Sequence, residues 1–147
     1  MLFWYAAGFV AAIAIAWLSA LLNVSGHAPV GIVSLGVGIA LGIILSAIAA
    51  TQRVAGHRYL IHGTIVFASM TVLAEHAWLY LDFRREWHAA RAASAEVALF
   101  RPETPWSPAE YFARELTPGR AALWGLDAVL ITAAAVAVVV VWRRPFK

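Results

Sequence analysis

Residues 2–22 read LFWYAAGFVAAIAIAWLSALL, and residues 29–50 read PVGIVSLGVGIALGIILSAIAA. No Asp, Glu, Lys or Arg precedes Arg53 in the chain. A membrane-spanning helix needs about 20 mostly apolar residues to cross about 30 Å of hydrocarbon, and each stretch supplies that length. Because only a short turn over residues 23–28 separates them, the two stretches are predicted to form an antiparallel hairpin of transmembrane helices.

The composition of the whole chain supports a membrane protein. Of its 147 residues, 63% are hydrophobic and 13% are charged, with a mean hydropathy of +0.77. Soluble domains carry about 25% charged and about 45–50% apolar residues. The formal charge of +3 is dispersed around helix ends, so nucleic-acid binding is not expected. The chain has no cysteine, which excludes disulfides, thiolate metal sites and cysteine nucleophiles.

Two further apolar stretches, residues 59–81 and 121–142, predict a third and a fourth span. The N-terminus lacks the positive charge of a secretory signal, so the first stretch is interpreted as a retained span. The predicted fold is an all-α, polytopic four-transmembrane-helix bundle that forms a single membrane domain over residues 1–147. The expected location of this multi-pass protein is the plasma membrane, that is, the inner membrane if the source is bacterial. Aromatic residues that favour the membrane interface fall near the span ends. They are Trp4, Tyr5, Trp17, Tyr59, Trp78, Tyr80, Trp124 and Trp142.

Small residues recur every four positions along the first two spans. They are Gly8, Ala12, Ala16 and Ala20 in the first span, and Ser34, Gly38, Gly42, Ser46 and Ala50 in the second. This spacing forms a flat ridge on one helix face, where a neighbouring backbone can approach closely. Alanine-rich spans also produce such ladders by chance. The two ridges are predicted to face each other, or to meet another copy or a partner protein.

Basic residues beside the spans bear on orientation. Five Lys and Arg residues lie in the second loop and the C-terminal tail, and six lie in residues 82–120. The positive-inside rule compares these two counts, and because they are nearly equal it distinguishes only weakly between the two orientations. The orientation adopted places both termini in the cytoplasm and the long loop outside.

Residues 82–120 form a long loop that is predicted to be ordered and partly helical. Its first part lacks Gly and Pro as far as residue 99, so the third span is predicted to continue as a helix beyond the membrane. Ser107, Pro108 and Glu110 predict a second helix start, with a capping box between the serine and the glutamate. This helix is expected to pack on the bundle mouth or on another subunit, and Thr117 to cap the fourth span.

Two acids lie inside apolar spans, Glu75 in the third and Asp127 in the fourth. Each is six residues from the loop-side end of its span, a depth of about 9 Å at about 1.5 Å per residue. Together with the adjacent His76 they form a possible intramembrane polar site, because acids within a membrane are costly. They are interpreted as a contact between spans three and four, as a proton or ion site, or as an acid facing a water-filled mouth.

A metal site is a weaker alternative. Glu75, Asp82 and Glu86 share one helix face, with His76 and His88 nearby. The chain contains neither the Glu-x-x-His nor the His-Glu-x-x-His motif of metal-binding helices. No metal is therefore predicted.

A haem site is also considered, because His62 and His76 lie fourteen residues apart, nearly on one helix face. Bis-histidine ligation also requires histidines on a second helix. His27 and His57, the other histidines near the bundle, fall in predicted loops. No cofactor is therefore predicted.

No assembled catalytic motif is visible, so the leading hypothesis is a non-enzymatic structural or accessory component of a larger membrane assembly. Its expected surroundings are the lipid bilayer and a protein partner or second copy. Contact is expected through the small-residue faces of the first two spans or through residues 82–120. The alternative is a proton- or ion-handling protein that uses Glu75 and Asp127. A membrane-embedded metal or haem protein comes third.

Overall fold

The computed structural model describes residues 2–24, 31–52, 57–93 and 104–142, and every regular element in these ranges is a helix. The helices are α1 (Leu2–Val24), α2 (Ile32–Thr51), α3 (His57–Ala93), α4 (Pro108–Glu115) and α5 (Pro118–Trp142). Four of them, α1, α2, α3 and α5, are long and apolar enough to cross a membrane. The prediction is therefore confirmed in its helical class and in its four candidate spans.

The helix boundaries follow the predicted spans closely where local signals exist. α5 begins at Pro118, where the Arg120 backbone N–H donates to the Thr117 hydroxyl at 3.4 Å, as expected of a cap. α3 runs without a break to Ala93, well beyond the predicted span. Its predicted continuation to residue 99 lies outside the described residues, as do residues 29–30 at the predicted start of the second span.

α1 packs against α3 in one constant register. The contacting pairs are Trp4 with Gly63, Gly8 with Phe67, and Ala12 with Thr71. Partners in each pair are 59 positions apart, so the two helices run in the same direction. A Cβ at Gly8 would lie 2.5 Å from Cε2 of Phe67, and the Thr71 hydroxyl reaches the Ala12 carbonyl oxygen at 3.5 Å. The small residues of α1 thus make room for side chains of α3.

α2 packs against α5 in the same manner. The contacting pairs are Ser34 with Asp127, Gly38 with Ile131, and Gly42 with Ala135, each 93 positions apart. A Cβ at Gly38 would lie 2.5 Å from the Ile131 carbonyl oxygen, and one at Gly42 would lie 2.8 Å from that of Ala135. At these glycines, the α2 backbone therefore lies directly against the α5 backbone.

These contacts correct the prediction that the two small-residue ridges face each other. The ridge of α1 lies against α3, and the ridge of α2 lies against α5. Eight of the nine residues of the two ridges are buried within the chain, and Ala50 is exposed. The buried residues are Gly8, Ala12, Ala16, Ala20, Ser34, Gly38, Gly42 and Ser46. A spacing of four residues identifies the helix face that packs closely, but it does not identify the helix that covers this face. The prediction that the two ridges face each other was wrong for this reason.

The four long helices form a ring in the order α1, α3, α5, α2. Its centre is filled by buried apolar side chains, among them Leu41, Leu45, Leu60 and Ile131. α1 ends and α2 begins at the same end of the ring where α5 begins and where α3 extends past its neighbours. We call this the loop-side end, and the charged residues within the bundle lie near it.

Candidate functional site

A cavity of about 350 Å³ opens at the loop-side end between α3, α4 and α5. Its polar and aromatic lining consists of Glu75, His76, Tyr111, Glu115, Arg120, Trp124 and Asp127. We call it the acid cavity. All three residues of the predicted polar site, Glu75, His76 and Asp127, are thus brought to one cavity by two different helices.

Asp127 is anchored to a third helix. The Ser34 hydroxyl of α2 donates a hydrogen bond to Oδ1 of Asp127 at 2.5 Å. Ser34 is buried and Asp127 is half-buried. Ser34 was assigned from sequence only to the packing ladder, yet it is also the hydrogen-bond partner of the acid. This bond holds one carboxylate oxygen in place at the edge of the acid cavity.

Glu75 is the most deeply buried acid in the described part of the chain, with 8% of its surface exposed. The next residue, His76, stacks on the Trp124 indole with ring centroids 3.9 Å apart and planes 29° apart. This stacked pair joins α3 to α5 directly beside the two acids. It fixes the side wall of the acid cavity.

Arg120, at the start of α5, contributes a positive charge to the lining of the acid cavity. It also forms an ion pair with Glu115 at the end of α4. Arg85 of α3 pairs with Asp82 at 3.3 Å, and neither residue lines the cavity. The Arg120–Glu115 pair was missed from sequence because Glu115 had no recognised role, although its charge beside the fourth span was visible.

α4 covers the acid cavity and is fixed by its own cap. The Glu110 backbone N–H donates to the Ser107 hydroxyl at 3.3 Å, and the Ser107 backbone N–H donates to the Glu110 carboxylate at 2.8 Å. This is the capping box expected from the sequence. Hydrogen bonds from the backbone N–H and then the hydroxyl of Ser107 lower the pKa of Glu110 below its ordinary value.

An aromatic cluster attaches α4 to α3. The Tyr80 hydroxyl donates to the Trp106 carbonyl oxygen at 3.0 Å. The Phe83 ring lies 5.4 Å from that of Trp106 and 5.0 Å from that of Tyr111, measured between centroids. Burial raises the pKa of Tyr111, whose ring also lines the acid cavity. Within the described residues, α4 and the preceding Trp106 therefore pack on α3, in agreement with the prediction that this helix packs on the bundle.

Beyond the acid cavity, towards the far end of the bundle, the interior is filled by apolar side chains. Leu41, Leu45 and Ile131 are almost fully buried there. The Thr64 and Thr71 hydroxyls of α3 donate to carbonyl oxygens of their own helix, at 2.7 and 2.9 Å. Within the described residues, the polar lining of the acid cavity therefore gives way to apolar packing and to hydroxyls that bond to their own helix towards the far end.

The metal and haem alternatives gain no support in the described ranges. No three or more His, Asp or Glu side chains are arranged there so that they could hold a metal ion. The histidines with described side chains, His62, His76 and His88, all lie on α3, so none faces another from a second helix. His27 lies outside the described residues, and the side chain of His57 is not described.

Comparison with known proteins provides no relative: no family model, no curated protein and no solved structure matches this chain. The chemistry of the acid cavity is therefore inferred from its own residues.

Proposed function

We propose that the chain is an integral membrane protein that binds and exchanges a proton or a small cation in the acid cavity. The observation that carries this proposal is that Glu75 and Asp127, on α3 and α5, line the same cavity. Acids inside membrane spans are costly, and they mark proton and ion sites when they face a bundle interior or a polar cavity.

The charge of the lining favours a cation. Three carboxylates line the acid cavity, from Glu75, Glu115 and Asp127, and Arg120 forms its ion pair with Glu115. Ionised Glu75 and Asp127 attract a cation more strongly here than in water, because the interaction is less screened in a partly buried site. We expect binding and release at the loop-side end, where the residues that line the cavity lie.

Infrared difference spectroscopy on the reconstituted protein tests this proposal. Buffer without the cation is exchanged for buffer containing sodium, calcium or ammonium, and the carboxylate bands are recorded. The wild type is expected to give a carboxylate difference signal that Glu75→Gln and Asp127→Asn abolish. Glu86→Gln is the matched control, because Glu86 is an exposed acid on the same helix outside the cavity.

The control is expected to retain the wild-type signal, and all variants should keep the wild-type helical content and elution volume. An unchanged difference signal in Glu75→Gln and Asp127→Asn would contradict the proposal. So would a wild type that gives no carboxylate signal with any of these cations or between neutral and acidic buffer.

A second candidate function is that of a structural or accessory component of a larger membrane assembly. It is favoured by the ordered platform that α4 and the end of α3 form at the loop-side end. Arg114 lies 4.2 Å above the Trp106 ring, and Arg84 and Arg85 are exposed. Arginine and tryptophan are enriched at protein interfaces. The small-residue ridges are covered within the chain, so the platform is the contact surface proposed for a partner.

Purification in a mild detergent tests the accessory function. Defined partners in a fixed ratio are expected to co-purify with the chain, and charge reversal at Arg84 and Arg85 should release them. Isolation of the wild type as a clean monomer would contradict this candidate while leaving the cation site open to its own test.

A further inference from the structure

A second cavity adjoins the acid cavity and has the opposite character. It measures about 490 Å³ and is lined by apolar groups from α3, α5 and the end of α4. These are Val72, Leu73, Ala77, Phe112, Leu116 and Gly125. We call it the apolar chamber. Leu73 is 71% exposed and Leu116 is 49% exposed, so the chamber opens sideways on the outer surface of the bundle.

The stacked pair of His76 and Trp124 lines both cavities. Glu75 and Asp127 share the lining of the acid cavity with this pair, and Leu73 shares the lining of the apolar chamber with it. A single aromatic wall therefore separates an acidic compartment from an apolar one that faces the position of lipid chains in a membrane. A ligand that fills both cavities must therefore carry a polar group and an apolar group close together.

We infer that the two cavities together bind one phospholipid with an ammonium headgroup, of the phosphatidylethanolamine type. This inference rests on the proposed cation site and names its ligand. The ammonium group would meet Glu75 and Asp127. Arg120, which lines the cavity and also pairs with Glu115, carries the charge that suits the adjacent phosphate. One acyl chain would occupy the apolar chamber, which soluble cations leave empty.

Charge complementarity separates this ligand from other lipids. A phosphatidylglycerol headgroup has the same phosphate but no positive charge, so it gains nothing from the two acids. A like-charge approach of its phosphate to Glu75 and Asp127 is unfavourable, and discrimination between the two lipids follows from this difference. The glycerol backbone and acyl chains are common to both and contribute no selectivity.

Gly125 provides a way to block the apolar chamber without disturbing the acids. A Cβ at Gly125 would meet no heavy atom within 4 Å, so a larger side chain fits there and fills the chamber. Gly119, on the same helix, is equally unobstructed but lines neither cavity. Gly125→Leu and Gly119→Leu are therefore a matched pair of blocking variant and control.

Native mass spectrometry from bilayers containing phosphatidylethanolamine and phosphatidylglycerol with identical chains tests the inference. The full chain is expected to retain one phosphatidylethanolamine in preference to phosphatidylglycerol. Gly125→Leu and Asp127→Asn should lose this lipid, whereas Gly119→Leu should retain it. Equal retention of both lipids, or retention unchanged in Gly125→Leu, would overturn the inference.

Soluble ethanolamine, tested by the infrared measurement, distinguishes failure of this inference from failure of the cation site. One outcome is that ethanolamine gives a carboxylate signal that persists in Gly125→Leu while native mass spectrometry shows no preference between the two lipids. That outcome contradicts the lipid inference and leaves the proposed cation site standing. If neither ethanolamine nor any other cation gives a signal, both proposals are contradicted.

Discussion

At the scale of single residues, Gly38 and Gly42 determine how closely α2 approaches α5. Their missing side chains place the α2 backbone directly against the carbonyl oxygens of Ile131 and Ala135. Close backbone contact increases van der Waals packing between helices, which is a main source of association between apolar helices in a membrane. The same approach brings Ser34, one turn earlier, within hydrogen-bonding distance of Asp127.

Gly38→Ala is expected to destabilise the bundle, because its Cβ would lie 2.5 Å from a backbone oxygen that cannot move independently. Overpacking of this kind costs about 1–3 kcal/mol. Gly36→Ala is the control on the same helix, since a Cβ there would meet nothing within 4 Å. Thermal unfolding in detergent is expected to show a lower midpoint for Gly38→Ala and an unchanged or higher one for Gly36→Ala. Equal midpoints would contradict the close approach of α2 and α5.

The residues of the candidate site were predictable in part. Glu75, His76 and Asp127 stood out because charged and polar groups are rare in apolar spans, and their equal depth followed from helix geometry. Ser34 was visible only as a small residue, because its partner lies 93 positions away. Ser34 is a polar residue at the loop-side start of its span, at the same end of the bundle as Asp127. This position was the signal that could have indicated it as a hydrogen-bond partner of the acid.

At the scale of elements, α4 depends on the capping box at its N-terminus. The pKa of Glu110 is lowered chiefly by the Ser107 backbone N–H and then by the Ser107 hydroxyl. A carboxyl whose folded pKa is depressed stabilises the fold above its unfolded pKa, and that contribution is lost as the pH falls through the folded pKa. The cap is therefore expected to act fully at neutral pH and to weaken below the ordinary value of 4.5.

Hydrogen exchange of the α4 amides, corrected for the intrinsic effect of pH on exchange, measures this contribution. Wild-type protection should be constant from neutral pH towards 4.5 and decline as the pH falls further. Ser107→Ala should lower protection throughout, because the helix loses its side-chain acceptor. Ser107→Thr keeps a hydroxyl and should retain most of the protection. Protection that rises with acidification, or is unchanged in Ser107→Ala, would contradict this account.

The elements themselves were largely predictable because their signals are local. The Ser107 cap, Pro108 at the first helical position and Thr117 before α5 each act within one helical turn. The contacts that hold α4 in place could not be predicted from the sequence. The hydrogen bond from the Tyr80 hydroxyl to the Trp106 carbonyl oxygen, for example, joins residues 26 positions apart. Such pairings are set by the tertiary fold and leave no periodic pattern in the chain.

At the scale of the whole molecule, large apolar side chains of every long helix face outward. Phe3, Leu73 and Val129 are exposed to 72%, 71% and 63%, and Ile32 to 63%. A soluble monomer rarely exposes so extended an apolar surface, and lipid chains would cover it. Composition alone predicts these four spans. It does not predict the ring order α1, α3, α5, α2, because spacing within one helix contains no information about which neighbour it meets.

The central claim is that Glu75 and Asp127 act as one cation site, and a double variant tests it most directly. Residues that act as a unit give non-additive losses when they are removed together. Each of Glu75→Gln and Asp127→Asn is therefore expected to remove the whole cation-induced carboxylate signal, and the double variant should lose no more than either alone. Two partial losses that sum in the double variant would show independent carboxylates and contradict a shared site.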